Sequence, residues 1–231
     1  MSFLCQVNGE TMIDFQQDGG YIGSTFSGRG HDIYSRSAAG KSTLLIDGVT
    51  PMVGATCKET TVEQKGDLYG IRINGGDVYM PRWKNARIYR LFLLVDGKYI
   101  LVIDGAPGHY IESRFHTYAT PTVSKDGVVL KKGDVQLAMS FASYGEGMLQ
   151  QSFGMPTSSK VQTNILRWMS PTRAYESLPK ENGFHVTALN PGKEKLGLSL
   201  EKQKDGGFAI TVTGKKGYQR VVNVTNDLRL K

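Results

Sequence analysis

Four histidines, His31, His109, His116 and His185, are the side chains of this sequence best suited to proton transfer near neutral pH. None lies at the i,i+4 or short-loop spacing from another that a zinc site needs. The pattern therefore gives no zinc site, and the histidines are read singly. His116 has the most chemical company. Across 110–118, Ile111, Ser113, Phe115 and Thr117 alternate onto one side of a strand, and Glu112, Arg114 and His116 onto the other. The second side would present a carboxylate, a guanidinium and an imidazole together. The plainer alternative is an ordinary hydrogen-bonded surface histidine. Gly40-Lys41-Ser42-Thr43 has the ending of a phosphate-binding P-loop. The first glycine of that pattern falls on Ser35, however, and 44–48 reads as strand and turn where a helix is required. No Gly-x-Ser-x-Gly elbow supports a hydrolytic serine. Cys5 and Cys57 show no metal spacing and read as two buried thiols, with their bonding left open. Asn223-Val224-Thr225 fits a glycosylation sequon, a triplet common by chance. No cofactor is implied.

The elements that must hold these residues are strands. Asn8-Gly9, Asp47-Gly48 and Asp96-Gly97 are two-residue turn signals beside β-rich runs. The firmest hairpin joins 87–95 to 98–104 through Asp96-Gly97. A second joins 128–130 to 135–141 across Lys131-Lys132-Gly133-Asp134. Further strands are expected at 3–7, 11–15, 42–46, within 60–74, and at 165–168, 184–189, 196–201, 208–212 and 218–224. The Gly/Ser/Gln-rich stretch 145–163 reads as a long loop. No 3.6-residue period is sustained over a helix length. The expectation is an all-β, antiparallel β-sandwich forming a single domain over 1–231.

Composition sets the outer bounds. The chain has 231 residues, enough to bury a core without staples, and its hydrophobic fraction of 39% argues against disorder. The net charge of +7 favours anionic partners. The cations are scattered, and Lys131-Lys132 and Lys215-Lys216 sit beside glycines as solvated hairpin tips, with a polyanion-binding face as the alternative. No apolar run is long enough to span a membrane as a helix, and the first residues do not read as a signal peptide. They read as the middle of a strand, as in a fragment of a longer chain.

In order along the sequence, Asn8-Gly9-Glu10, Ile13-Asp14, Gly20-Tyr21 and Tyr34-Ser35-Arg36-Ser37-Ala38-Ala39-Gly40-Lys41-Ser42-Thr43-Leu44-Leu45-Ile46-Asp47-Gly48 form a series. Gly76-Asp77-Val78-Tyr79, Arg90-Leu91-Phe92-Leu93, 99–104, Phe115-His116 and 184–191 continue it. The series resembles the C-terminal β-sandwich of heparinase II/III-like polysaccharide lyases over nearly the whole chain. The resemblance implies a β domain that works against a helical toroid, with an acidic polysaccharide between them. The family's chemistry is β-elimination at a uronic acid, whose carboxylate must be neutralised. A periplasmic or extracellular location also follows from the resemblance.

Two departures limit what is carried over. The family's His-x-Asp motif would fall before Met1, and the toroid's catalytic groups are absent. Of the family's metal ligands, only the aspartate position is kept, as Asp14; Lys41 stands where a ligand histidine would be. A protonated lysine has no lone pair to give, so no metal is expected. Lys41 is expected instead to supply positive charge beside Asp14. The chain alone is expected to be catalytically incomplete. Candidate substrate contacts are Arg36, Arg82, Trp83, Arg90, Tyr110 and Arg114, each with a structural alternative, Trp83 above all as a core anchor. His31, Tyr34 and His116 are the weak catalytic candidates, for a lyase of unusual form. A structural or assembly role through exposed strand edges is a third reading, and nucleic-acid binding ranks last.

Overall fold

The computed structural model describes residues 1–18, 20–30, 33–52, 54–57, 59–79, 86–155, 161–170 and 183–231. Strands and short 3-10 turns are the regular elements among them. β1 (Cys5–Val7) and β2 (Glu10–Ile13) form a hairpin over Asn8-Gly9, whose φ values of 47° and 84° are both left-handed. β6 (Tyr89–Val95) and β7 (Tyr99–Gly105) form the hairpin expected at Asp96-Gly97, with φ values of 51° and 65°. Positive φ at both central residues is what a type I′ turn demands, and Asp-Gly meets it at low cost.

β6 and β7 lie inside an eight-stranded antiparallel sheet. Its order is β4 (Glu59–Lys65), β5 (Leu68–Asn74), β6, β7, β14 (Phe184–Pro191), β11 (Val135–Ser143), β10 (Gly127–Lys132) and β9 (Thr120–Ser124). A four-stranded sheet runs β12 (Met148–Phe153), β13 (Asn164–Met169), β8 (Ile111–Thr117), β3 (Leu44–Ile46). A three-stranded sheet is built from β15 (Gly197–Lys202), β16 (Phe208–Thr213) and β17 (Gln219–Val224).

The large sheet is the middle layer of the stack. On one face Leu91, Leu93, Leu101 and Ile103 pack with Phe208, Ile210, Val212 and Val222 of the small sheet. On the other, Val102, Leu130 and Met139 pack with Phe115, Leu166 and the hairpin residues Met12 and Ile13. β7 therefore buries both of its faces. That is why 98–104 reads as a nearly continuous apolar run instead of an alternating one.

Two expectations are corrected here. The stretch 145–163 holds a strand, β12, registered on β13 from Met148↔Met169 to Phe153↔Asn164. It is an edge strand, largely exposed, so its residues carry no apolar alternation. Its strand character comes from backbone hydrogen bonds to β13. The second correction concerns β8, where Glu112 and His116 are buried and only Arg114 is partly exposed. The expected alternation holds, but its polar side is covered. Cys5 and Cys57 are free and half-buried.

Candidate functional site

Residues 38–42 lie close to the polar side of β8. Gly40 lets the chain fold closely over Tyr34 and Ser35: a Cβ there would stand 2.4 Å from the Tyr34 carbonyl oxygen. Ser42 then bridges, its Oγ donating to the Asp14 carbonyl (2.6 Å) and accepting from the His116 backbone N–H (2.8 Å). The P-loop-like glycine and serine are thus packing residues, in keeping with the missing helix.

Beneath them the polar side chains of β8 are fully engaged. Glu112 accepts from Arg114 (2.8 Å) and from Arg167 on β13 (2.9 and 2.7 Å). Burial pushes the Glu112 carboxyl up, but the hydrogen bonds and charges of the two arginines outweigh it and hold the group below its usual range. Arg114 also donates to the Ala39 carbonyl (3.1 Å). His116 is fully buried, with Nε2 facing the same Ala39 carbonyl (3.1 Å) and Nδ1 facing the Thr163 hydroxyl (2.8 Å). A carbonyl only accepts, so Nε2 carries the proton, while the Thr163 hydroxyl beside Nδ1 is shared with Gln16 Oε1, 3.0 Å away. Burial drives its pKa down to about 4, against the opposing pull of Ala39. His116 is therefore a neutral structural ring, and the expected ligand-facing imidazole is corrected on that ground.

Tyr34 lies over this layer, its ring 6.2 Å from that of His116. Burial raises its phenol pKa, which makes it a poor base at neutral pH. Tyr110 is half-buried, with its backbone N–H on Asp47 (2.8 Å), and burial also raises its pKa.

Beside this layer opens a cleft of about 790 Å³. Tyr21 and Phe26 are 80% and 81% exposed, with ring centroids 4.9 Å apart. Arg36 and Lys41 also line it, with Asp18 and Gln17. Arg36 is anchored by a hydrogen bond to the Thr25 carbonyl, and Asp18 accepts from the Ser35 hydroxyl. The floor includes the buried Gln16, whose amide donates to the Gln17 and Val161 carbonyls and whose oxygen accepts from the Thr163 N–H (3.0 Å). The same amide reaches the Tyr118 hydroxyl (3.3 Å), so Gln16 ties its own segment to Tyr118 and to 161–163.

Lys41 reaches this cleft by a route other than the one expected. Its ammonium lies over the Phe15 ring, 3.9 Å from the centroid, and forms no salt bridge with Asp14 among the described residues. Burial lowers its pKa, while Asp14 and then Asp18 oppose the fall through space. Asp14 instead accepts from the Phe15 N–H (2.9 Å) and from Gln17. Among the described residues no three His, Cys, Asp or Glu side chains gather as a metal site.

Arg90 is the clear displacement among the expected contacts. It is 0% exposed and doubly hydrogen-bonded to Asp104 (2.6 and 2.8 Å), far inside the fold. Its strand, β6, is central in the large sheet, so no ligand meets it. His31, Arg82 and Trp83 lie outside the described residues. The structure thus brings Arg36 and Lys41 into one cleft and sets Tyr34, Arg114 and His116 in the layer next to it. Sequence reasoning missed Tyr21 and Phe26 as a pair. The available signal was two aromatics within a Gly/Ser-rich stretch, where no core requires them.

No protein-family model matches the chain, and no curated protein does. Solved structures do. Heparan sulfate lyase HepC from Pedobacter heparinus is 18% identical, with a TM-score of 0.68, over 97% of this chain and 36% of that one. Heparinase III is 11% identical, with a TM-score of 0.69, over 97% of this chain and 35% of that one. A heparinase III gene product gives 12% and 0.69 over 97% and 36%. The chain thus spans about a third of the length of these structures. At such identities the likeness is one of fold: this chain has the antiparallel β-sandwich architecture found in heparinase III and heparan sulfate lyase chains.

Proposed function

We propose that the chain is the β-sandwich portion of a heparinase II/III-like polysaccharide lyase and binds an acidic, uronate-containing polysaccharide in the cleft of Tyr21, Phe26, Arg36 and Lys41. The observation that carries the reading is an exposed aromatic pair beside two cations in one concave site. Aromatic faces suit the apolar faces of sugar rings, and cations suit carboxylate or sulfate groups. Arg36 is held by a neutral carbonyl, so its charge is left for a ligand. The candidate bases support incompleteness: His116 is enclosed with both nitrogens engaged, and burial raises the pKa of the Tyr34 phenol, away from the lowered value a base at neutral pH would need. Elimination would then require groups from a helical toroid domain or subunit.

The test is titration with heparan sulfate and with alginate. Tyr21→Ala combined with Phe26→Ala is expected to weaken binding about tenfold, equivalent to about 1.4 kcal/mol. Unchanged affinity would remove the cleft from the reading. Incubating the 231-residue chain alone with either polymer is expected to give no ultraviolet absorbance from unsaturated product; a rise that survives purification would make the chain a lyase in its own right.

A further inference from the structure

A second concave surface lies elsewhere, sharing no lining residue with the aromatic cleft. It consists of a recess of about 250 Å³ and an open groove of about 580 Å³ that meet at Asp126, Leu196 and Gly197. Three separate turns deliver lysines to it. Lys125 comes from the β9–β10 turn, Lys193 and Lys195 from the β14–β15 connection, and Lys215 from the 3-10 turn between β16 and β17. Lys131-Lys132, the other lysine pair along the chain, lies at the opposite end of β10.

The turns are fixed by hydrogen bonds. Lys195 Nζ donates to the Ser124 hydroxyl (2.6 Å), tying the β14–β15 connection to the β9–β10 hairpin. Glu194 accepts from the Lys215 backbone N–H (3.0 Å), tying it to the 3-10 turn. The Leu196 N–H is held by Ser140 Oγ (3.0 Å). The backbone that carries the lysines is therefore set before a ligand arrives. Three of the four charges have no carboxylate partner among the described residues. Lys195 ends on a neutral hydroxyl, and Lys125 and Lys193 have no carboxylate partner among the described residues. Lys215 approaches Glu194 at 3.6 Å while 73% exposed, a contact that salt readily screens.

The recess adds an independent feature. Phe141 and Trp168 line it, stacked with centroids 5.3 Å apart at 24°. The Trp168 indole N–H is a buried donor with no acceptor among the described residues. An unmet buried donor is a cost to the fold.

We propose that this lysine-rimmed groove is a second binding surface for the acidic polysaccharide, holding a stretch of the polymer outside the aromatic cleft. The proposal rests on the polysaccharide reading above for its ligand class. A glycan fits better than nucleic acid. The cations are isolated lysines on separate turns instead of forked arginines, and the aromatic pair is recessed and not a row of exposed faces for successive bases.

The test compares long heparan sulfate chains with a heparan sulfate tetrasaccharide, on the full chain. Replacing Lys193, Lys195 and Lys215 together by glutamine is expected to weaken binding of the long chains about tenfold and to flatten its salt dependence, with tetrasaccharide binding unchanged. The matching triple arginine variant, which keeps charge, is expected to restore the affinity, and it separates charge loss from misfolding. Unchanged long-chain affinity and salt dependence in the glutamine variant would overturn the proposal. So would single-stranded DNA competing as well as heparan sulfate for the groove. The two readings fail separately: loss with the lysine variant but not with Tyr21→Ala and Phe26→Ala keeps the groove and removes the cleft, and the reverse keeps the cleft and removes the groove.

Discussion

Arg90 and Arg36 carry the same guanidinium into two regions that use charge in opposite ways. Arg90 is fully buried between strands and forked onto Asp104. Asp104 also accepts from Ser113 (2.6 Å), Ser113 approaches His185 Nδ1 (3.4 Å), and His185 Nε2 faces Ser170 (3.2 Å). This polar chain links the middle layer, through β6, β7 and β14, to β8 and to the end of β13. Each member has a partner and none has solvent. Arg36 stands at the wall of an open cleft on a neutral carbonyl. A buried cation without a carboxylate would be far too costly, so interior charges come already matched. A cation at a cleft wall keeps enough water contact to remain unmatched, and an unmatched charge is one that can recognise a ligand.

The comparison is broken most forcefully from the inside. Asp104→Asn leaves Arg90 charged and uncompensated, and a loss of about 3–5 kcal/mol in denaturant unfolding is expected for removing one partner of a buried pair. Arg36→Gln under the same measurement is expected to change stability by less than about 0.5 kcal/mol, because an exposed side chain loses one hydrogen bond to a neutral carbonyl. Equal costs for the two variants would erase the distinction.

Acid sharpens the same contrast. Burial pushes His185 down to about 3 and His116 to about 4. The unfolded chain takes up a proton at each ring near the ordinary value of about 6.5, while the folded chain stays neutral. The unfolded state therefore binds more protons below that pH, and stability rises with pH there. Full stability is expected above about pH 6.5, with a fall of up to about 1.4 kcal/mol per pH unit for each ring as pH drops toward 4. His185 and His116 would each be replaced by a neutral glutamine, and the slope of unfolding free energy between pH 6 and pH 4 would be the readout on the order of one proton each. A flat profile in the parent chain would show that the rings are not held neutral.

The smallest expected effect on binding belongs to Lys41. Lys41→Gln is expected to weaken heparan sulfate binding by a few-fold, on the order of 0.5–1 kcal/mol, as the loss of one partly exposed cation. Its thermal stability should move little, since the variant loses a cation–π contact of about that size. A large stability loss with no change in binding would make Lys41 a structural stand-in for charge near Asp14 and not a ligand contact.

Much of the fold was legible. Asp96-Gly97 and Asn8-Gly9 name their turns because few residue pairs take positive φ twice at low cost. The alternation across 110–118 assigns the two sides of β8 correctly. β12 was not legible, because an exposed edge strand carries no apolar period and is defined by its neighbour. The candidate site was legible in part. Arg36 and Lys41 stood out through the resemblance, and the aromatic pair beside them did not. His116 and Arg90 were misplaced, because period-two alternation says which side a residue takes and says nothing of what lies on that side.

The sequence by itself determined an all-β chain, its main hairpins and its surplus of positive charge, all of which depend on neighbouring residues or on sums. The tertiary structure decided which charges are enclosed and which are open. That depends on segments far apart in the chain: Ala39 covering His116, Ser113 of β8 meeting Asp104 and His185, and three turns carrying lysines to one surface. A lysine reads alike in all these settings until its distance to the nearest carboxylate is known, since Coulomb energy and desolvation are set by position in space.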